Sequence, residues 1–276
     1  MKLPIVGLVV DELGQINYLN EGRKLGINLK FTNQALATQD LIKFAQECDF
    51  LLIDPRIIST TSVRTAERAG VRIYPSAKTL EQLEKLEQIK TTQTTSEYLS
   101  ILVARSAHAQ VASWPITLIT NDLTITPLPG ISDQLSQEIQ LSVLKLAGEV
   151  GLVGGFELLV DAADYKELIG INWVTPHAKY WSQIGCVTNF YEQNLRAVLD
   201  LPLGSTDLLD KFVITGGLKT DLASDDYRPY LHLMARNPKL KFDQSIKQVG
   251  LTSSDLENAL TEIIHAQQYY SGEIEE

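Results

Sequence analysis

Short apolar runs separated by helical patterns fill the first third of the chain. Ile5 to Val10 reads as a strand, and Gly22 to Leu25 sits in a helix that Gly26 ends. Asn28 to Thr32 reads as a second strand, and Leu41, Ile42, Phe44 and Ala45 mark another helix before the run Phe50 to Ile53. A helix through Ser62 to Ala69 stops at Gly70, and Val71 to Tyr74 gives a further strand ahead of Pro75. Strands alternating with helices at this spacing predict parallel βαβ units, as in a doubly wound sheet.

The pattern changes after Thr79. Leu80, Leu83, Leu86 and Ile89 recur every third position among Glu, Gln and Lys, a narrow apolar stripe on a helix. The polar segment Thr91 to Ser96 follows as a loop, and the domain boundary is placed there. Beyond it come strands at Tyr98 to Arg105 and Trp114 to Thr120. A helix follows, capped by Ser132 and stopped at Gly151. Phe156 to Val160 and Leu168 to Val174 form a strand pair around an Asp-rich turn, and Asn189 to Leu199 is helical. A last helix spans Asp255 to Tyr269, with Ser254 and Glu257 spaced as a capping box.

Composition narrows the function classes. The chain has 276 residues, 44% of them hydrophobic and 21% charged, an ordinary globular balance. A net charge of −10 argues against a nucleic-acid partner, because binding phosphate backbones needs clustered Lys and Arg. Cys48 and Cys186 are too few and too far apart for a disulfide framework or a metal-ligand motif, which fits a cytoplasmic protein. No apolar run reaches the length of a membrane span, so no membrane partner is expected. The apolar residues after Met1 run into Asp11 and Glu12 instead of a small-residue cleavage site, and read as a buried strand. His108, His177, His232 and His265 form no motif.

The most specific stretch is Cys186-Val187-Thr188-Asn189-Phe190-Tyr191-Glu192-Gln193-Asn194-Leu195-Arg196-Ala197-Val198-Leu199-Asp200-Leu201-Pro202-Leu203-Gly204-Ser205. It resembles the C-x-T-S-Q-F-E-Q-H-L-R-A-V-x-G-L-P-L-G-S signature of the 5-(carboxyamino)imidazole ribonucleotide synthases, ATP-grasp ligases of purine synthesis. Leu99 to Ser106 resembles that family's E-L-S-V-I-V-A-R-S strand, with Tyr98 where its Glu stands. Trp114-Pro115 matches its Y-P, and Pro75-Ser76 with Thr79-Leu80 matches the end of its first domain. The resemblance implies an α/β fold in four parts. Residues 1–78 would be a Rossmann-like pre-ATP-grasp domain, 79–96 a helix and linker, 97–205 a truncated ATP-grasp domain of α+β type, and 206–276 a small C-terminal region.

The same resemblance exposes departures. Family members carry a nucleotide lobe between the P-S-x-x-T-L segment and the E-L-S-V strand; here only residues 81–97 fill that interval. The family's magnesium carboxylates fall at Glu157 and at the residue after Asn172, which is Trp173. A lone acid on a strand more often faces solvent than holds a metal. The loop that lines the family's substrate pocket becomes Val174 to Trp181, where His177 is either a pocket residue or a surface residue. The phosphate-binding G-x-G-Q-L-G turn appears as Val10-Asp11-Glu12-Leu13-Gly14-Gln15: Leu13-Gly14 survives, the leading glycines are gone, and Asp11 and Glu12 would repel a phosphate. Arg236 and Lys241, at the family's L-H-x-Y-G-K and R-K-M-G-H segments, are candidates to hold one phosphate, or else are two solvated basic residues. Glu192, Gln193 and Arg196 stand intact on the signature helix, where a folding role is the simplest expectation; Arg196 is expected to pair with a carboxylate from a neighbouring element.

The family uses ATP and Mg2+; this chain is expected not to. The reading that follows is a silent relative that binds a ribotide, a nucleotide or a partner, as a regulator or scaffold. The alternative is a working carboxylate–amine ligase completed by a lobe from another chain. A homodimer or hetero-partner is expected, with the Leu80–Ile89 stripe as its contact, or else as packing against its own domain.

Overall fold

A computed structural model describes residues 3–32, 36–87, 97–163, 165, 168–172, 176–219 and 227–274. The chain opens with β1 (Ile5–Val9), α1 (Glu12–Leu25), β2 (Asn28–Thr32), α2 (Thr38–Ala45), β3 (Phe50–Ile53), α3 (Thr60–Arg68), β4 (Ile73–Tyr74) and α4 (Ala77–Glu87). The four strands form a parallel sheet in the order β2-β1-β3-β4. Buried on both faces, β1 and β3 carry continuous apolar runs, as parallel central strands do. Gly26 adopts φ +68° and closes α1, its N–H returning to the carbonyls of Arg23 and Gly22.

The second unit begins with β5 (Tyr98–Arg105), β6 (Val111–Ser113), β7 (Thr117–Ile119), β8 (Leu123–Thr126), α5 (Asp133–Glu149), β9 (Gly154–Asp161) and β10 (Leu168–Asn172). It continues through α6 (Pro176–Gly185), α7 (Phe190–Val198), β11 (Phe212–Gly217), α8 (Arg228–Arg236), β12 (Lys241–Asp243), β13 (Gln248–Ser253) and α9 (Leu256–Ser271). The strands form one nine-stranded sheet, ordered β10-β9-β5-β7-β8-β11-β13-β12, with β6 on β5. The pairing of β11 with β8 joins residues 212–217 to 123–126 in the same ladder.

Both faces of this sheet are covered. Leu99, Ile101, Val103, Phe156 and Leu158 pack under α5, through Ile139 and Val143. On the other face Leu102, Ala104, Trp114, Trp181, Phe190 and Val213 form a second core. Period-two alternation along β5 and β9 sorts the two sets.

Three expectations need correction. Residues 176–185 are a helix, not a loop. Pro176 stands at its first position, where proline is favoured, and Tyr180 and Trp181 are buried beneath it. The last helix is capped by Asp255, whose carboxylate accepts the Asn258 N–H, because Ser253 Oγ already holds the Asp255 N–H. The stripe on α4 is inward-facing where described: Leu80 belongs to the first domain's core and Leu83 to the second's. Neither is open to another chain. The side chain of Leu86 and all of Ile89 lie outside the described residues.

Candidate functional site

Helix α7 lies against α1 on one side and β9 on the other. The contact with α1 combines the edge-on packing of Tyr18 against Tyr191 with a set of hydrogen bonds. Asn194 is its centre: its Nδ2 donates to the Tyr18 hydroxyl at 2.5 Å and its Oδ1 accepts the Gly155 N–H at 3.1 Å. Gly154, at φ +115°, brings the backbone so close that a Cβ there would lie 2.9 Å from Asn194 Oδ1. Asn17 donates to the Tyr191 hydroxyl and accepts from Gln183, while Asn189 donates to Glu21 Oε1. Burial pushes the Tyr18 phenol far above its ordinary range, with Tyr191 beside it adding to the shift; Tyr191 is raised chiefly by burial as well. Neither phenol ionises near neutrality, so neither is a general base.

The signature residues are held in the same way. Gln193 exchanges both amide hydrogen bonds with the peptide of Gly204, donating to its carbonyl at 2.9 Å and accepting its N–H at 2.8 Å. Arg196 grips Glu192 on its own helix, at 2.9 and 2.6 Å, and also donates to the Pro202 carbonyl. Its carboxylate partner therefore comes from one turn away and not from a neighbouring element; an i,i+4 pair is nearest in space on a helix. Asp200 replaces the signature's glycine and still adopts φ +57°, a conformation Asp tolerates better than most residues.

Asp11, at the start of the former glycine turn, is the N-cap of α1 and accepts the Gly14 N–H at 2.7 Å. A carboxylate of the chain itself thus occupies the helix end where an anion would bind. Arg56 lies beside it. Its guanidinium clamps Asp54 through contacts of 2.9, 3.0 and 2.5 Å and reaches Asp11 at 3.6 Å. Asp54 is only 8% exposed, and that pairing raises the Arg56 pKa further. Beside them Tyr18, Pro75, Gly155, Phe190 and Asn194 line a narrow space of about 30 Å³. That is room for one or two water molecules.

Glu157 is 1% exposed, not solvent-facing as expected, because β9 carries it on the face covered by α6 and α7. The Ser100 hydroxyl donates to its Oε1 at 2.5 Å. Asn172 pairs with Glu157 across the β9–β10 ladder, and Trp173 lies outside the described residues. Among the described side chains the strand pair does not fit a magnesium site. A hard cation in this setting needs several oxygen ligands; Glu157 is engaged with a hydroxyl, and the strand's other buried acid, Asp161, accepts the Ala163 N–H at 2.6 Å. Among the described residues no three His, Cys, Asp or Glu side chains gather as a metal site.

The candidate phosphate residues are on separate elements. Arg236, at the end of α8, pairs with Glu262 of α9 at 3.3 Å, while Lys241 is exposed on β12, its carbonyl accepting the Tyr180 hydroxyl. His177 lies on the first turn of α6; its side chain is outside the described residues. Sequence reasoning passed over Asn194, Tyr18 and Arg56, which organise the closed cleft. Asn194 was visible only as a departure from the signature's His.

A parallel sheet followed by a large antiparallel sheet, with a helix bridging them, is the architecture of the ATP-grasp ligases. The structure superimposes on that of N5-carboxyaminoimidazole ribonucleotide synthetase from Thermotoga maritima with a TM-score of 0.79 at 17% identity, over 97% of this chain and 98% of that one. It also matches the synthase from Aspergillus clavatus, solved with ADP and 5-aminoimidazole ribonucleotide, with a TM-score of 0.76 at 13% identity, over 97% and 99% of the two chains. In sequence it is 40% identical to the N5-carboxyaminoimidazole ribonucleotide synthase of Mycobacterium leprae over 116 residues, 40% of this chain and 26% of that enzyme. No family model matches the chain. The chain is similar to N5-carboxyaminoimidazole ribonucleotide synthases in fold and in part of its sequence, and its sequence match spans about a quarter of the length of that relative.

Proposed function

We propose that this chain is a non-ligase member of its family, a regulator or scaffold that binds a small molecule or a partner in purine synthesis. The observation that carries the reading is the closed cleft. Where the resemblance implies a phosphate-binding turn, Asp11 caps the helix, Arg56 is clamped by Asp54, and the remaining space is about 30 Å³. A ribotide needs roughly ten times that room, since ligand pockets run to about 300–1,000 Å³. The strand pair that would hold magnesium adds support, with one carboxylate buried against Ser100. Phosphoryl chemistry of this kind depends on metal ions and fixed cations neutralising developing charge.

The test is a thermal-shift and calorimetry series with ATP plus magnesium, ADP, and 5-aminoimidazole ribonucleotide. Neither ATP with magnesium nor ADP should move the melting temperature. Saturable, magnesium-dependent ATP binding together with bicarbonate-dependent ATP hydrolysis would overturn the reading in favour of a working ligase.

A further inference from the structure

Helix α5 does not seal the sheet it covers. Between it and β9 an open-sided groove of about 360 Å³ remains, within the range of small-molecule sites. Ile139 and Val143 of α5 meet Leu158 and Val160 of β9 at its floor, and all four are buried. Leu135 and Leu146 extend the apolar lining, and Tyr165 in the β9–β10 turn completes it. The groove is on the sheet face opposite α6 and α7, apart from the closed cleft and from the face that carries Glu157.

Two residues of the lining suit a ligand better than a packed core. Leu135, Ile139, Ser142 and Leu146 follow one helical stripe, and Ser142 alone breaks its apolar character. Protein interiors leave few voids larger than a water molecule, and a leucine at that position would take up part of this one. The Ser142 hydroxyl donates to the Glu138 carbonyl at 2.9 Å, so it is turned back on its own helix. Glu138 is the one charged side chain of the lining, exposed at the rim. Its Oε1 accepts the neutral amide of Gln134 at 3.0 Å, and among the described residues no ion pair neutralises it. A chain of net charge −10 attracts cations, and the Tyr165 ring is a group that favours them too.

We propose that this groove binds an apolar molecule that ends in one ammonium group. Ile139, Val143, Leu158 and Val160 take the hydrocarbon, and Glu138 meets the ammonium at the rim. Burial of the hydrocarbon supplies most of the affinity, and the ion pair sets the preference for a cation over an anion. The proposal goes beyond the reading of the chain as a non-ligase, and it stands or falls separately from ATP use.

The experiment is calorimetry on the full chain with octylamine, octanol and octanoate, three probes that share a body and differ in their ends. Octylamine should bind most tightly, octanol roughly two- to fivefold more weakly, on the scale of one exposed ion pair, and octanoate weakest. Glu138→Gln should bring octylamine down to the level of octanol and leave octanol unchanged. Ser142→Leu should weaken both at least about tenfold while the melting temperature holds or rises, because the added side chain fills the groove. Octanoate binding as well as octylamine, octylamine binding indifferent to both substitutions, or no octylamine binding at millimolar concentration would overturn the site. A dimer, seen in sedimentation, that Ser142→Leu dissociates would assign the groove to a second copy and likewise overturn the proposal.

Discussion

The two ends of the large sheet have been treated in opposite ways. At the end where β9 begins, Asn194, Tyr18, Gln193 and Asn189 give their hydrogen bonds to other groups of the chain, and a cleft shrinks to about 30 Å³. One oxygen there, Glu21 Oε2, has no partner. At the end where β5 begins, a cavity of about 510 Å³ remains, and Thr215 Oγ1 lies unbonded at its floor. The first end has become structure, with polar groups that rigidify and specify a contact. The second keeps costly features that packing alone does not require. A resemblance concentrated in the signature helix therefore says more about how the domains are joined than about chemistry.

The sharpest break of this comparison is Trp181→Ala, which empties the core beneath α6. It should cost about 3–5 kcal/mol in urea denaturation. Asn194→Ala comes next. It leaves the buried Gly155 N–H without its acceptor and removes the donor to Tyr18, for a loss of about 2–4 kcal/mol. If it costs nothing, the closed end is not held as described. Gln193→Ala should cost about 1–3 kcal/mol by freeing the Gly204 peptide.

The smallest effect appears in alkali. Burial, with Asp207 nearby, pushes the Cys186 thiol from 9.0 up to about 12. The folded state thus keeps a proton that the unfolded chain releases, and stability falls as pH rises from about 9 towards 12. Tyr18, Tyr180 and Tyr191, all raised chiefly by burial, deepen that fall above pH 10. Cys186→Ala should flatten the start of the slope in denaturation measured against pH. In the native protein Cys186 should react with a thiol reagent at pH 8 more slowly than half-buried Cys48.

Much of the architecture was legible along the chain. Helices α5 and α7 start where Ser132 and Asn189 predict, whereas only the last turn of α1, Gly22 to Leu25 before Gly26, was read from the sequence, its start at Glu12 hidden in the segment taken for a phosphate turn. Strands β2, β3 and β5 have the predicted ends, because each is long or apolar enough to carry a pattern. The three- and four-residue strands β6, β8 and β12 are too short for alternation to show. Helix α6 hid behind its resemblance to a loop, although Pro176 was a usable start signal. The sites were less legible, for a physical reason. Asp11 and Arg56 become one arrangement only when β1 and β3 lie side by side. Tyr98, Thr215 and Lys247 line one cavity only because the sheet joins distant segments.

The ladder between β8 and β11 decides which parts of this protein are dispensable. A segment inserted or deleted between α4 and β5 enters and leaves without opening any strand edge, so a whole lobe can come and go there during descent. Cutting the chain after residue 205 would instead strip β11 and β13 from the sheet. The exposed edge of β8, with Ile125 among threonines, would then invite pairing between molecules. Expression of residues 1–205 alone should yield aggregates, which makes the last segment a guard on solubility as much as a domain.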